Sequence, residues 1–83
     1  MNNKETVLIT GPTSGIGKSL TYRFAHHYNY DLVLVGRSLS KLEVLYNDLK
    51  KNKKITIYYF KIDLREKDSS KKIINFLEEN SIN

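Results

Sequence analysis

A glycine-rich segment, residues 10–17, constrains the fold of this 83-residue chain more than any other stretch of its sequence. It reads Thr-Gly-Pro-Thr-Ser-Gly-Ile-Gly and follows an apolar, largely β-branched run at residues 6–9, which predicts a buried parallel strand. A predicted helix over residues 18–28 follows, and its expected apolar face has one residue every four positions: Ile16, Leu20 and Phe24. A strand, a glycine-rich turn and a helix present free backbone N–H groups to a phosphate.

The three glycines of this turn have separate expected tasks. Gly11 lets the chain turn sharply, Gly15 lets the backbone approach a pyrophosphate, and Gly17 lets the helix pack close to the strand. Spaced glycines lower stability unless something needs the backbone there. We therefore favour a phosphate-binding turn over a strand-to-helix turn without a ligand.

The same segment ends like a P-loop, in Gly17, Lys18 and Ser19. A P-loop needs a glycine five residues before Gly17, but that position holds Pro12 and Gly11 comes one residue too early. Proline also lacks the N–H that the first P-loop position helps to organise. A P-loop-like ATP site is therefore the weaker alternative.

Two further strand–helix units follow the turn. The strands are predicted at residues 31–35 and 55–62, and four consecutive aliphatic residues in the former indicate burial on both faces. The second helix begins near Ser38 or Ser40, and the third ends near Asn80. The order β-α-β-α-β-α with right-handed crossovers predicts a three-stranded parallel sheet of order 3-2-1, half of a doubly wound Rossmann-type α/β fold.

The second helix has a clear predicted start and core face. Ser40 and Glu43 are spaced as a capping box, and Leu39 and Val44 as a hydrophobic staple. Its apolar residues then recur at i, i+3, i+4 and i+7, which predicts one buried stripe: Leu42, Leu45, Tyr46 and Leu49.

Arg37 follows the second strand, where dinucleotide-binding proteins usually carry an acid for the ribose 2′-hydroxyl. The nearest acid, Asp31, begins that strand and so lies at its other end. A carboxylate repels a 2′-phosphate, whereas a guanidinium can hold it with two charge-assisted hydrogen bonds. Arg37 therefore indicates NADP, the alternative being a surface arginine that merely follows a strand. Lys18 and Lys41 are expected to add positive charge.

The turn resembles the Thr-Gly-x-x-x-Gly-Ile-Gly motif of the short-chain dehydrogenase/reductase family, and the resemblance covers essentially the whole chain. It implies that Ser14 and Ile16 lie along the phosphates and ribose of a nicotinamide dinucleotide. The sequence Gly36-Arg37-Ser38 resembles NADP-preferring members. These features imply a set of cofactor-binding residues that includes Gly11, Ser14, Gly15, Ile16, Gly17, Arg37 and Ser38.

Asp63 and Leu64, at the end of the third strand, resemble the family's acidic residue and its neighbour beside the adenine ring. The resemblance implies that Asp63 accepts from the exocyclic amine while Leu64 packs nearby. Alternatively, Asp63 caps the loop that follows.

Tyr46 and Lys50 match the spacing of the family's catalytic Tyr-x-x-x-Lys pair. They come far too early in the chain, however, and no catalytic serine region precedes them. Tyr46 also lies on the predicted core stripe of the second helix. We therefore interpret Tyr46 as a packing residue and expect no catalytic residue in this chain.

The resemblance implies that residues 1–83 are the N-terminal half of an NADP-binding Rossmann domain, from an oxidoreductase whose catalytic half is absent. Such a chain is expected to bind cofactor without catalysing a reaction alone. A stand-alone nucleotide-binding module or pseudoenzyme is the alternative. The first strand, at the sheet edge, is expected to pair with another copy or with a C-terminal partner chain.

The composition excludes other classes of protein. Hydrophobic residues make up 40% and charged residues 28%, which suits a soluble globular domain. No apolar run is long enough to cross a membrane, and the absence of cysteine agrees with a cytoplasmic location. The net charge of +5 includes a lysine cluster at residues 50–54, with no basic stripe interleaved with aromatic residues. We therefore expect neither a nucleic acid nor a membrane as partner.

Overall fold

The computed structural model describes residues 5–82, and the predicted domain of residues 1–83 extends beyond them at both ends. The strands are β1 (Thr6–Thr10), β2 (Asp31–Gly36) and β3 (Ile57–Lys61). The helices are α1 (Gly15–His26), α2 (Leu39–Leu49) and α3 (Ser69–Glu79). All three strands are parallel in the order β1-β2-β3, which is the predicted order 3-2-1 seen from the other edge. The Rossmann-type half-sheet is confirmed.

β2 is buried on both faces, as its run of aliphatic residues predicts. Val33 lies opposite Leu8 of β1, and the register continues in step along the strand. Leu32 and Leu34 pack toward α1 and α2, whereas Val33 and Val35 pack toward α3. The core under α1 and α2 is the larger one: Ile9, Ala25, Leu32, Leu34, Leu42, Leu45 and Leu49. The two cores fix the strands side by side, so that their carboxyl ends lie together at one end of the sheet.

The predicted apolar face of α1 is wrong at two of its three residues, whereas the third, Phe24, is half-buried and packs against the core. Ile16 is 80% exposed and Leu20 is 44% exposed, whereas the buried residues of the helix are Thr21 and Ala25. Gly17, Thr21 and Ala25 follow one another at four-residue intervals and therefore share one face of the helix. The small side chains of this face lie toward the sheet. The Thr21 hydroxyl donates to the Gly17 carbonyl at 2.7 Å, which satisfies the polar group of the buried side chain.

The N-cap of α2 is Ser38, one of its two predicted starts, whereas the predicted capping box and hydrophobic staple are wrong. Ser38 caps the helix by accepting from the Lys41 N–H at 3.3 Å. Ser40 therefore lies in the first turn, and no capping box forms there. Leu39 and Val44 are exposed and form no staple, since the buried stripe faces the other side. The core residues predicted further along α2 are buried, and Tyr46 is half-buried.

The remaining boundaries differ little from the prediction. β3 begins two residues later and ends one residue earlier than residues 55–62, and α3 ends at Glu79 with Asn80 as its cap. No helix within residues 5–82 is long and apolar enough to cross a membrane.

Candidate functional site

A cleft of about 810 Å³ opens where the three strands end. Each strand contributes residues from its carboxyl end or from the following loop: Gly11 after β1, Arg37 after β2 and Asp63 after β3. In open α/β sheets this edge is where ligands bind. The fold therefore brings the glycine turn, the predicted 2′-phosphate residue and the predicted adenine residue into one cleft.

Glycine is required at three positions of the turn for two different reasons. Gly11 and Gly15 have φ angles of +63° and +57°, in the left-handed region that side chains disfavour. Gly17 is held so close to the turn that a Cβ there would lie 1.9 Å from the Gly11 carbonyl oxygen. The Gly11 N–H also donates to the Val35 carbonyl at 3.1 Å, which ties the turn to β2.

The N-terminus of α1 lies beside this cleft. Ser14, which lines the cleft, is the extended N-cap, and its hydroxyl makes no capping hydrogen bond. The first turn of α1 contains no acidic side chain. The first N–H groups of a helix have no intrahelical acceptor, and the helix dipole is positive at that end. This end of the cleft therefore suits an anion such as a phosphate.

Three cationic side chains line the same cleft: Arg37, Lys41 and Arg65. Arg65 binds Asp63, with Nη2 at 2.8 Å from Oδ2 and Nε at 3.0 Å from Oδ1. The backbone N–H of Arg65 also donates to Oδ1 at 2.9 Å. These contacts to Arg65 hold the pKa of the Asp63 carboxyl well below its usual range, and the charge of Arg37 acts in the same direction. Asp63 is therefore a charged acceptor that is already engaged.

Most of the predicted cofactor-binding residues meet in the cleft. The ones that line it are Gly11, Ser14, Arg37, Ser38, Asp63 and Leu64. Gly15 and Gly17 shape the turn beside it, and Ile16 projects into solvent at 80% exposure. The Ser38 hydroxyl is engaged as the cap of α2 and lies 3.2 Å from the Ser40 hydroxyl.

Arg65 is the charged residue of this cleft that the sequence did not predict. A usable signal was present, because Arg65 follows β3 as Arg37 follows β2, and parallel strands end at the same edge of the sheet. A cation shortly after each of two neighbouring strands predicts that both lie in one cleft. The tight Asp63–Arg65 contact itself depends on loop geometry that residue spacing does not specify.

A second cavity of about 580 Å³ lies between α1 and α2. Lys18 lines this cavity and not the cleft, whereas Lys41 lines both. At one end the Tyr22 hydroxyl donates to Asp48 at 2.5 Å, which raises the pKa of Tyr22 and lowers that of Asp48. Of the two predicted supporting lysines, therefore, Lys41 is the one placed at the strand ends.

Tyr46 does not line the cleft. Its ring lies 5.0 Å from the ring of Tyr59 of β3, and the Lys50 amine lies 5.6 Å from the Tyr46 ring centroid. Tyr46 therefore packs against β3, and the exposed Lys50 lies over its ring. Among residues 5–82 no cluster of three His, Asp or Glu side chains is placed to hold a metal ion.

This chain is similar in sequence and in structure to known proteins. A family model described as short chain dehydrogenase matches residues 5–81. Sulfoacetaldehyde reductase from Chromohalobacter salexigens is 38% identical over 64 residues, which are 77% of this chain and 24% of that protein.

Two solved structures agree in fold at higher coverage of this chain. The bulky-bulky ketone specific alcohol dehydrogenase from Comamonas testosteroni has a TM-score of 0.81 at 35% identity, covering 98% of this chain and 34% of its own. The short-chain dehydrogenase from Sphingobium yanoikuyae, solved in complex with NADPH, has a TM-score of 0.78 at 35% identity. The match covers 90% of this chain and 29% of that protein. The chain thus spans about a quarter to a third of the length of these relatives.

Proposed function

Because the chain belongs to the short-chain dehydrogenase family, we propose that its cleft binds the adenosine and phosphate groups of NADP(H). The observation that carries the proposal is the position of Arg37, which lines the same cleft as the glycine turn and replaces the acid expected for NAD. The NADPH complex of a 35% identical relative supports the choice of cofactor.

The residues present fit such a cofactor. The pyrophosphate would lie at the N-terminus of α1, where a Cβ at Gly17 would displace the turn and no acidic side chain repels an anion. Arg37, with Lys41 nearby, would hold the 2′-phosphate through charge-assisted hydrogen bonds. Leu64, half exposed at the end of β3, would pack against the adenine beside Asp63.

We infer that residues 1–83 are the cofactor-binding N-terminal half of a Rossmann domain and do not catalyse a reaction alone. Bound NADPH supplies a hydride, but reduction of a carbonyl also needs a proton donor within hydrogen-bond reach of its oxygen. Tyr46 and Lys50 form the one Tyr-x-x-x-Lys pair in the sequence, and Tyr46 packs against Tyr59 outside the cleft. NADPH-dependent carbonyl reduction by the purified chain that disappears in Tyr46→Phe would contradict this inference.

The test of the proposed function is a calorimetric titration of the chain with NADPH, NADH and ATP. NADPH is expected to bind about one to two decades more tightly than NADH, since one charge-assisted hydrogen bond contributes about 1.5–3 kcal/mol. Arg37→Met should remove that difference, and Arg37→Asp should invert it.

Arg23→Met is the matched control, because it removes the same charge from an exposed position in the last turn of α1. It is expected to leave the ratio of the two affinities unchanged. Equal affinities for NADPH and NADH in the unmutated chain would contradict the NADP assignment. Tight binding of ATP alone would favour the P-loop-like alternative.

A further inference from the structure

The Asp63 carboxylate shares the cleft with two arginine side chains, Arg37 and Arg65, and is bound by Arg65. Three N–H groups of Arg65 donate to it: the backbone N–H, Nη2, and Nε, whose single hydrogen is shared between the two carboxylate oxygens. A carboxylate accepts through both of its oxygens, and Arg65 engages both oxygens of Asp63. Arg37 lines the same cleft as Asp63, and its charge favours the ionised carboxylate, yet it forms no ion pair with Asp63 among the described residues.

We propose that Arg65 is a positioning residue for cofactor selectivity: by occupying Asp63, it keeps the Arg37 guanidinium available for the 2′-phosphate. This inference deepens the proposed function and rests on it. A guanidinium paired with a carboxylate must give up that pair before it can bind a phosphate. Without Arg65, Asp63 becomes a free carboxylate in the cleft that Arg37 also lines. Pairing of Arg37 with Asp63 would then compete with the 2′-phosphate and weaken NADPH binding while leaving NADH binding unaffected.

The test measures the ratio of NADH to NADPH dissociation constants in variants that keep the side-chain volumes similar. Arg65→Met should lower the NADPH preference about two- to fivefold, the range expected for an exposed ion pair. The second substitution Asp63→Asn should restore the preference in the Arg65→Met background, because it removes the competing charge. Using the ratio cancels any contribution of Asp63 to adenine binding, which both cofactors share.

A charge-matched control separates this mechanism from a general electrostatic effect. Asp68 is an exposed N-cap of α3 whose side chain makes no capping hydrogen bond. Arg65→Met/Asp68→Asn has the same net charge as Arg65→Met/Asp63→Asn but keeps the Asp63 carboxylate. It should show the same loss of NADPH preference as Arg65→Met alone.

A second readout needs no cofactor. The Nε–Hε signal of Arg37, followed by NMR, should shift in Arg65→Met as Arg37 pairs with Asp63, and should return in the Asp63→Asn double variant. An unchanged Arg37 signal would overturn the inference whatever the cofactor affinities. The inference would also be overturned if Asp63→Asn did not restore the NADPH preference in the Arg65→Met background. It would be overturned equally if Asp68→Asn restored that preference as well as Asp63→Asn does. Failure of the unmutated chain to bind either dinucleotide, with the NMR response intact, would instead overturn the proposed function.

Discussion

Gly17 is the residue on which the geometry of the turn depends most. A Cβ there would lie 1.9 Å from the Gly11 carbonyl oxygen and 2.8 Å from its carbon, distances that no rotamer can relieve because both atoms are backbone. The glycine spacing in the sequence predicts this role correctly. The sharp turn expected at Gly11 agrees with its positive φ angle, whereas the sequence does not predict that Gly15 also needs a positive φ, which depends on the path of the loop.

Gly17→Ala is therefore expected to destabilise the chain by about 1–3 kcal/mol or more, as overpacking in a tight contact does. It should also remove NADPH binding, because the turn must open to admit the methyl group. Urea denaturation and a cofactor titration measure the two effects. Gly36→Ala is the matched control, since its Cβ would meet the flexible Leu42 side chain at 3.4 Å. Equal stability of the two variants would contradict the close contact at Gly17.

At the scale of elements, the strands follow from the sequence more reliably than the buried face of α1. The aliphatic run of β2 predicts its central position because burial on both faces leaves no polar position. The apolar spacing in α1 predicts a buried face of Ile16, Leu20 and Phe24, because this kind of prediction considers only the hydrophobicity of the side chains. The close contact between Gly17 and the Gly11 carbonyl instead requires small side chains on the buried face of the helix. The residues that are buried there are Thr21 and Ala25. The contact at Gly17 is a tertiary one, so the sequence pattern of the helix alone does not reveal it.

This difference makes two substitutions in α1 informative. Ala25→Leu should cost about 1–3 kcal/mol, because Ala25 is fully buried against the sheet and the added atoms have no space. Leu20→Ala should change stability by less than about 0.5 kcal/mol beyond its helix propensity, because Leu20 is 44% exposed. Chemical denaturation of both variants is the measurement. The reverse order of effects would mean that the apolar periodicity identifies the buried face after all.

At the scale of the whole molecule, the two edges of the sheet differ in how they are protected. β3 ends in the exposed charge of Lys61, and β1 contains no charge and no proline. β1 bonds to β2 through Asp31 N–H to Glu5 O at 3.0 Å and Gly11 N–H to Val35 O at 3.1 Å. Because N–H groups alternate in direction along a strand, those of Thr6, Leu8 and Thr10 point away from β2. Such an uncharged edge favours pairing with another strand.

We expect two copies of the chain to pair through β1. Thr6, Leu8 and Thr10 are arranged symmetrically about Leu8, which is 40% exposed, so an antiparallel pair can form around a two-fold axis at that residue. Sedimentation should detect a concentration-dependent dimer, and hydrogen exchange at Leu8 should slow as the dimer fraction rises. Exchange at Val7 and Ile9 should change little, since their N–H groups already point toward β2.

Leu8→Lys should raise the monomer fraction, because a charge at the edge is a common protection against strand pairing. A stable monomer at all concentrations, with fast exchange at Leu8, would show that this edge does not recruit a second copy.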